Sequence, residues 1–227
     1  MIHDFVKIDN ISKIFTPAKG VEVVGLRDIN LTIAQHDLVV LSGPSGSGKT
    51  TLLNIIGGLD EPTLGQVSLA GQCLSGLSEK EWSETRRDHI GFVFQAYNLL
   101  PVLSARQNIE YVMRLQQRPA EECAARTLEV AEKLGIAALL DALPHELSGG
   151  QQQRVAVARA VASKPKLILA DEPTANLDSK NGSDLMEMMQ RLNEDEGITI
   201  IFSSHDPLVI DTAKRSIVLR DGQVEQA

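Results

Sequence analysis

Leu38-Val-Val-Leu41-Ser-Gly43-Pro-Ser-Gly-Ser-Gly-Lys49-Thr50-Thr-Leu-Leu-Asn-Ile-Ile56 decides the fold. It opens on a short apolar run stopped by a Gly/Ser/Pro cluster, the pattern of a buried strand in a parallel sheet. The stretch Lys49–Ile56 predicts a helix with Leu52, Leu53 and Ile56 on one face. Gly57-Gly58 ends it, as glycine just past a helix does. Between strand and helix, Gly43, Pro44, Ser45, Gly46, Ser47, Gly48, Lys49 and Thr50 fit Gly-x4-Gly-Lys-(Ser or Thr). The glycines let backbone N–H groups turn inward around phosphate oxygens, and the helix aims its positive end at the same anion. Lys49 puts a cation by the β- and γ-phosphates, and Thr50 offers a hydroxyl to Mg²⁺.

Outward from this loop, Ile29, Leu31 and Ile33 alternate with polar residues as in a half-buried strand. Ile90-Gly-Phe-Val-Phe94, Leu167-Ile-Leu-Ala170 and Thr199-Ile-Ile-Phe202 read as further buried strands, and Ser216-Ile-Val-Leu219 is expected to close the sheet. Between about 105 and 163 the strand pattern disappears. Ala, Glu, Leu and Arg dominate there, predicting three or four helices inserted in a strand-rich core. Asp171 and Glu172 end the strand 167–170. Bare carboxylates in an apolar setting are costly, and Mg²⁺ near the phosphate loop would supply their charge partner. Asp171 then holds the metal, and Glu172, one step beyond, polarises an attacking water.

With 227 residues the chain has room for one domain or one domain with a modest insertion. It is 43% hydrophobic and 23% charged, which excludes disorder, collagen and a simple coiled coil. Net charge is −8 with 4% aromatics, against a nucleic-acid partner. No run of about 18 apolar residues predicts a membrane span, and no secretion signal is evident. Cys73 and Cys123 are read as two free thiols in a reducing compartment. The expected location is therefore the cytoplasm, with any membrane role supplied by a partner.

At Leu147-Ser-Gly-Gly-Gln151 the chain resembles the ATP-binding-cassette ATPases. Other family motifs follow in family order. Gln95, ending the strand 90–94, resembles the Q-loop; Pro173-Thr-Ala-Asn-Leu-Asp178 resembles the D-loop; His205 resembles the switch histidine; Phe15 stands where an adenine-stacking aromatic is placed. The resemblance runs from about Val6 to Val224. Residues 90–101, 147–160 and 170–178 point further, to the lipoprotein-releasing and macrolide-exporter subgroup. Tyr97 stands where many relatives have phenylalanine, and Ser203-Ser204 where a Val-Thr pair is common.

The resemblance implies an α/β P-loop NTPase fold: a RecA-like core, an antiparallel β subdomain and a helical subdomain at about 96–163, all one ATPase domain over 1–227. It implies ATP and Mg²⁺ as cofactors. Phe15, the loop through Thr51, and Ser148, Gly149, Gly150 and Gln151 are the implied ATP-binding set. Glu172, His205 and Gln95 are the implied catalytic set, and Thr50, Gln95 and Asp171 the implied metal set. The signature sits on the helical insertion, so one chain cannot easily enclose a triphosphate with both motifs. In the family two copies pair head to tail, with Asp178 at the interface. The implied partners are membrane permease subunits with a large extracytoplasmic domain, met in part by residues 97–101; the implied location is the inner membrane face. The alternative is a regulatory cassette ATPase of a cell-envelope or cell-division complex that moves no cargo. Arg86 and Arg87 are read as a solvated helix face, and Met186, Met188 and Met189 as core filler.

Overall fold

The structure is a computed structural model and describes residues 4–16 and 20–226. In chain order its elements are β1 (Asp4–Phe15), β2 (Val23–Ala34), β3 (Leu38–Ser42), α1 (Lys49–Ile56), β4 (Leu64–Leu69), β5 (Gln72–Cys73), α2 (Glu79–His89) and β6 (Ile90–Val93). There follow α3 (Ala105–Leu115), α4 (Ala120–Lys133), α5 (Gly149–Ala162), β7 (Leu167–Asp171), α6 (Ser179–Glu196), β8 (Thr199–Ser203), α7 (Pro207–Thr212), β9 (Arg215–Arg220) and β10 (Gln223–Gln226).

β3 explains why its sequence is apolar throughout rather than alternating. Leu38 and Val40 face one hydrophobic cluster, shared with α3, α5 and α6. Val39 and Leu41 face a second, shared with α1 and the strands β1 and β2. Both faces are covered, as in parallel sheets generally. Leu41 is fully buried, and Leu41→Ala would cost about 2–5 kcal/mol through lost burial and the cavity left behind.

β3 sits inside a six-stranded sheet of order β10-β9-β3-β8-β7-β6. All its neighbour pairs are parallel except β10 with β9. The carboxyl ends of β3, β8 and β7 therefore open on the same edge, where α/β sheets place their ligands. A four-stranded antiparallel sheet of order β2-β1-β4-β5 covers the α1 side. Together these are the mixed α/β sheets expected of a P-loop NTPase.

Three α-helices, α3 to α5, lie between β6 and β7. In α4 the buried residues Cys123, Arg126, Thr127, Val130 and Ala131 form a single stripe at helical spacing. In α3 the buried Asn108 holds the preceding loop: its Oδ1 accepts from Leu100 N–H at 2.8 Å, and its Nδ2 donates to the carbonyls of Leu100, Leu103 and Ser104 at 2.9–3.1 Å.

Two expectations change. The strand containing Ser216 does not close the sheet. Asp221 and Gly222 both have positive φ (48° and 75°), a hairpin turn that sends β10 back along the outer side of β9. Arg86 is not a solvated residue: it is half-buried, and its guanidinium donates to the carbonyl of Gly58 at 2.5 Å. Arg87 pairs with Asp88 at 2.6 Å. Met186 and Met189 are fully buried and Met188 packs on the same cluster, as expected.

Candidate active site

The loop after β3 depends on glycine. At Gly43 φ is 137°, and a Cβ would lie 2.0 Å from the carbonyl oxygen of Leu219. At Gly48 φ is 103°, and a Cβ would lie 2.8 Å from the carbonyl oxygen of Gly25. No side chain can take either place. Lys49 is buried, and its Nζ donates to the loop carbonyls of Gly43 (2.8 Å) and Pro44 (3.1 Å). α1 starts with no capping side chain and no acid in its first turn. Its leading N–H groups keep their donors for an outside acceptor. The site thus offers a curved row of donors, a helix N-terminus and a cation, which fits the phosphates of a nucleotide.

Phe15, Ser45, Gly46, Gly48, Lys49, Thr50, Thr51, Gln95, Glu172 and His205 line one cavity of about 490 Å³, together with Val23, Val24, Gly25 and Ala175. Phe15 is 40% exposed there. Gly25 lies against its ring, so that a Cβ would approach the ring to 2.5 Å, and Lys13 Nζ sits 5.2 Å from the ring centroid.

Asp171 ends β7 with its carboxylate held from two sides. Thr50 Oγ1 donates to Oδ1 and Oδ2 at 2.9 and 3.1 Å, and Ser203 Oγ donates to Oδ1. A hydroxyl and a carboxylate in contact beside a phosphate cradle are the hard oxygen donors that Mg²⁺ takes, with substrate phosphates completing its shell. The residues present fit that ion. Glu172 follows with φ at 46°, uncommon for a residue with a side chain. Its N–H is shared by the carbonyl and the hydroxyl of Ser203, both at 3.1 Å. Its Oε1 lies 2.9 Å from His205 Nδ1, a contact in which Nδ1 carries the proton.

Gln95 exposes its side chain, while its carbonyl accepts from Asn176 Nδ2 at 2.9 Å. The next loop is strapped to α5: Arg159 donates to the carbonyls of Asn98 (2.6 Å) and Tyr97 (2.9 Å), whose φ values are both positive. Burial alone lowers the Arg159 pKa from its ordinary value. Leu99 packs against the core cluster, whereas Leu100, Pro101 and Val102 face outward.

Ser148, Gly149, Gly150 and Gln151 do not line the cavity. They open α5. Ser148 Oγ accepts from Gln151 N–H (3.3 Å) and Gln151 Oε1 accepts from Ser148 N–H (2.9 Å), a closed capping box. The serine O–H proton stays free for an outside acceptor. Asp178 also lies apart and caps α6: it accepts from Asn181 N–H at 2.9 Å and Asn181 Nδ2 at 2.7 Å. These bonds hold its carboxyl below the usual range. Sequence reasoning missed Ser203, Asn176 and Arg159. The departure at Ser203-Ser204 was one signal; Asn176 and Arg159 stand inside the stretches 173–178 and 147–160 that carry the resemblance, but each acts on a carbonyl far away in the chain, which spacing does not reveal.

A family model described as ABC transporter matches residues 26–175. The chain is 44% identical over 226 residues to the uncharacterized ABC transporter ATP-binding protein MJ0796 of Methanocaldococcus jannaschii, covering 97% of this chain and 95% of that one. It is 46% identical over 208 residues to the macrolide export ATP-binding/permease protein MacB of Rhodopseudomonas palustris, covering 92% of this chain and 32% of that protein. It is 40% identical over 199 residues to the bacitracin export ATP-binding protein BceA of Halalkalibacterium halodurans, covering 88% and 79%. Among solved structures, a dimeric post-hydrolysis state of the cassette MJ0796 bound to ADP and Pi superposes with a TM-score of 0.91 at 42% identity, covering 97% of both chains.

Proposed function

The chain belongs to the ABC transporter ATP-binding family, and on that premise we propose that it binds and hydrolyses ATP as a head-to-tail dimer and powers an export or mechanotransmission complex in a membrane. One observation carries the dimer. The cavity gathers Lys49, Thr50, Gln95, Glu172 and His205 but leaves out Ser148–Gln151 and Asp178. A second copy would bring its own signature helix, with a free hydroxyl and unpaired N–H groups, onto that open cavity. A dimeric relative bound to ADP and Pi supports this arrangement.

Hydrolysis joins a water oxygen to the γ-phosphorus and breaks the bond from that phosphorus to the β–γ bridging oxygen, which leaves with the electron pair as part of ADP. Lys49 and the loop N–H groups hold the β- and γ-oxygens. Phe15 stacks on the adenine and Thr51 extends the phosphate contacts. Glu172 accepts the water proton. His205, hydrogen-bonded to that carboxylate, fixes its orientation, and Gln95 reaches the same space from β6. Thr50 and Asp171 would hold Mg²⁺, with Gln95 beside them. When bound, the ion neutralises developing phosphate charge. Asp178 crosses to the second copy.

In MacB the ATP-binding and permease functions share one polypeptide. For this chain we infer a permease with a large extracytoplasmic domain, docked partly on the outward face of residues 100–102. No helix among the described residues is long and apolar enough to cross a membrane, so the cassette would sit on the inner face of the membrane through that partner. Residues 96–163 act in this reading as a helical subdomain within a single ATPase domain. The test is Mg²⁺-dependent ATP hydrolysis by the purified chain, with size-exclusion chromatography of Glu172→Gln in excess ATP. Dimer with the variant and turnover with the wild type are expected. A Glu172→Gln variant that stays monomeric in excess ATP would overturn the dimer.

A further inference from the structure

We infer that Ser203 is a positioning residue that ties the metal-holding carboxylate of Asp171 to the backbone of Glu172. This rests on the ATPase reading above and names a part of the site that the family motifs do not contain.

Ser203 is the last residue of β8 and pairs across the sheet with Asp171, the last residue of β7. It is fully buried, and its hydroxyl uses both of its capacities. Its proton goes to Asp171 Oδ1, and its oxygen accepts the Glu172 N–H at 3.1 Å. Thr50 grips the same carboxylate from the α1 side at 2.9 and 3.1 Å. A carboxylate held by one donor can turn about its last side-chain bond; two donors on neighbouring elements fix its plane. One hydroxyl therefore sets the carboxylate that would face the metal and steadies the left-handed backbone at Glu172 (φ 46°), which aims that side chain at His205. Hydrogen bonds to ionised acceptors are the stronger class, and the buried setting strengthens this one further. A valine at the same place would pack but supply neither bond.

Ser203→Ala removes the hydroxyl yet leaves the Ser203 backbone carbonyl, which alone still accepts the Glu172 N–H at 3.1 Å, so the strand pairing is retained. The experiment compares wild type, Ser203→Ala and Ser203→Thr. It measures the Mg²⁺ concentration that half-saturates the fluorescence of bound trinitrophenyl-ATP, the steady-state kcat and KM, and the thermal midpoint of each protein. In Ser203→Ala, half-saturating Mg²⁺ is expected to rise about fivefold and kcat to fall about tenfold, with KM for ATP at saturating Mg²⁺ changed less than about twofold. Ser203→Thr, which keeps the hydroxyl, is expected to recover both. Ser203→Ala within about twofold of wild type in Mg²⁺ demand and kcat overturns the inference. So does loss of turnover in both variants in step with their thermal midpoints, which marks a packing role only. A wild type with no Mg²⁺-dependent turnover overturns the ATPase reading instead, so the two failures are told apart.

Discussion

His205 Nδ1 lies 2.9 Å from Oε1 of Glu172, joining the loop after β8 to the end of β7 in the lining of the cavity that also holds Lys49. A histidine on an exposed loop reaches a carboxylate that is 16% exposed. Glu172→Gln keeps the shape and an oxygen for His205 but cannot take a proton. Its ATP turnover should fall by about 10²-fold or more with nucleotide affinity within a few-fold of wild type. Phosphate release and a nucleotide-binding titration check this.

Lys49 donates to two loop carbonyls and lines the cavity, where the proposed function sets it against phosphate. Lys49→Ala should weaken binding of trinitrophenyl-ATP by about tenfold or more and abolish turnover. Circular dichroism should stay unchanged, since the buried residues of β3 and α1 on either side of the loop hold those elements. Retention of wild-type affinity would remove the phosphate role from the loop.

Leu99 and Val102 are close in sequence and opposite in setting. Leu99 packs on the core, whereas Val102 is 82% exposed. Leu99→Glu should lower stability by about 2–4 kcal/mol, as an unpaired charge enters an apolar contact. Val102→Glu should leave stability and basal ATPase unchanged, and should lose any stimulation by a membrane partner. Urea unfolding of both variants, with ATPase assays in the presence and absence of membranes carrying the permease, separates the two effects.

Glu196 on α6 gathers Arg126 (2.5 Å) and Lys133 (2.9 Å) from α4. Burial pushes its carboxyl up, but the bonds from Arg126 and Lys133 outweigh that, and the net direction is below the ordinary value. A depressed folded-state value stabilises the fold above the unfolded glutamate value of about 4.3, and that contribution is lost as pH falls through the folded-state value. Acid unfolding of Glu196→Gln should begin from a stability lower by about 2 kcal/mol at pH 7 and show a shallower acid slope than wild type. Parallel slopes would show that the pair does not couple to folding.

The most legible elements were those where one physical demand dominates. β3, β7 and β8 are buried on both faces, so their apolar runs gave their bounds to within one residue, and the loop to α1 needs glycine wherever φ is positive. The cavity side chains Lys49, Thr50, Gln95, Glu172 and His205 were all named by motif. Less legible were elements whose sequence carries little hydrophobic signal. α2 buries only Trp82 among its own residues, although Ser78 and Glu81 form a capping box that marks its start. β5 has just two residues, too few for any period. The Asp221-Gly222 turn before β10 was a readable hairpin signal that the strand pattern alone passed over. Ser203 could not be assigned from spacing, because its partners Asp171 and Glu172 come from the neighbouring strand.

Arg159 grips the backbone of Tyr97 and Asn98 from within the helix that begins at Ser148. Arg159 is half-buried, and releasing it would leave the two carbonyls without their donor. The helix that starts at Ser148 and the outward ledge at Leu100 and Val102 are thereby tied together at Arg159. Under the proposed function, a partner resting on the ledge and a second copy's nucleotide meeting the tip would bear on the same helix, linked through the two bonds of Arg159.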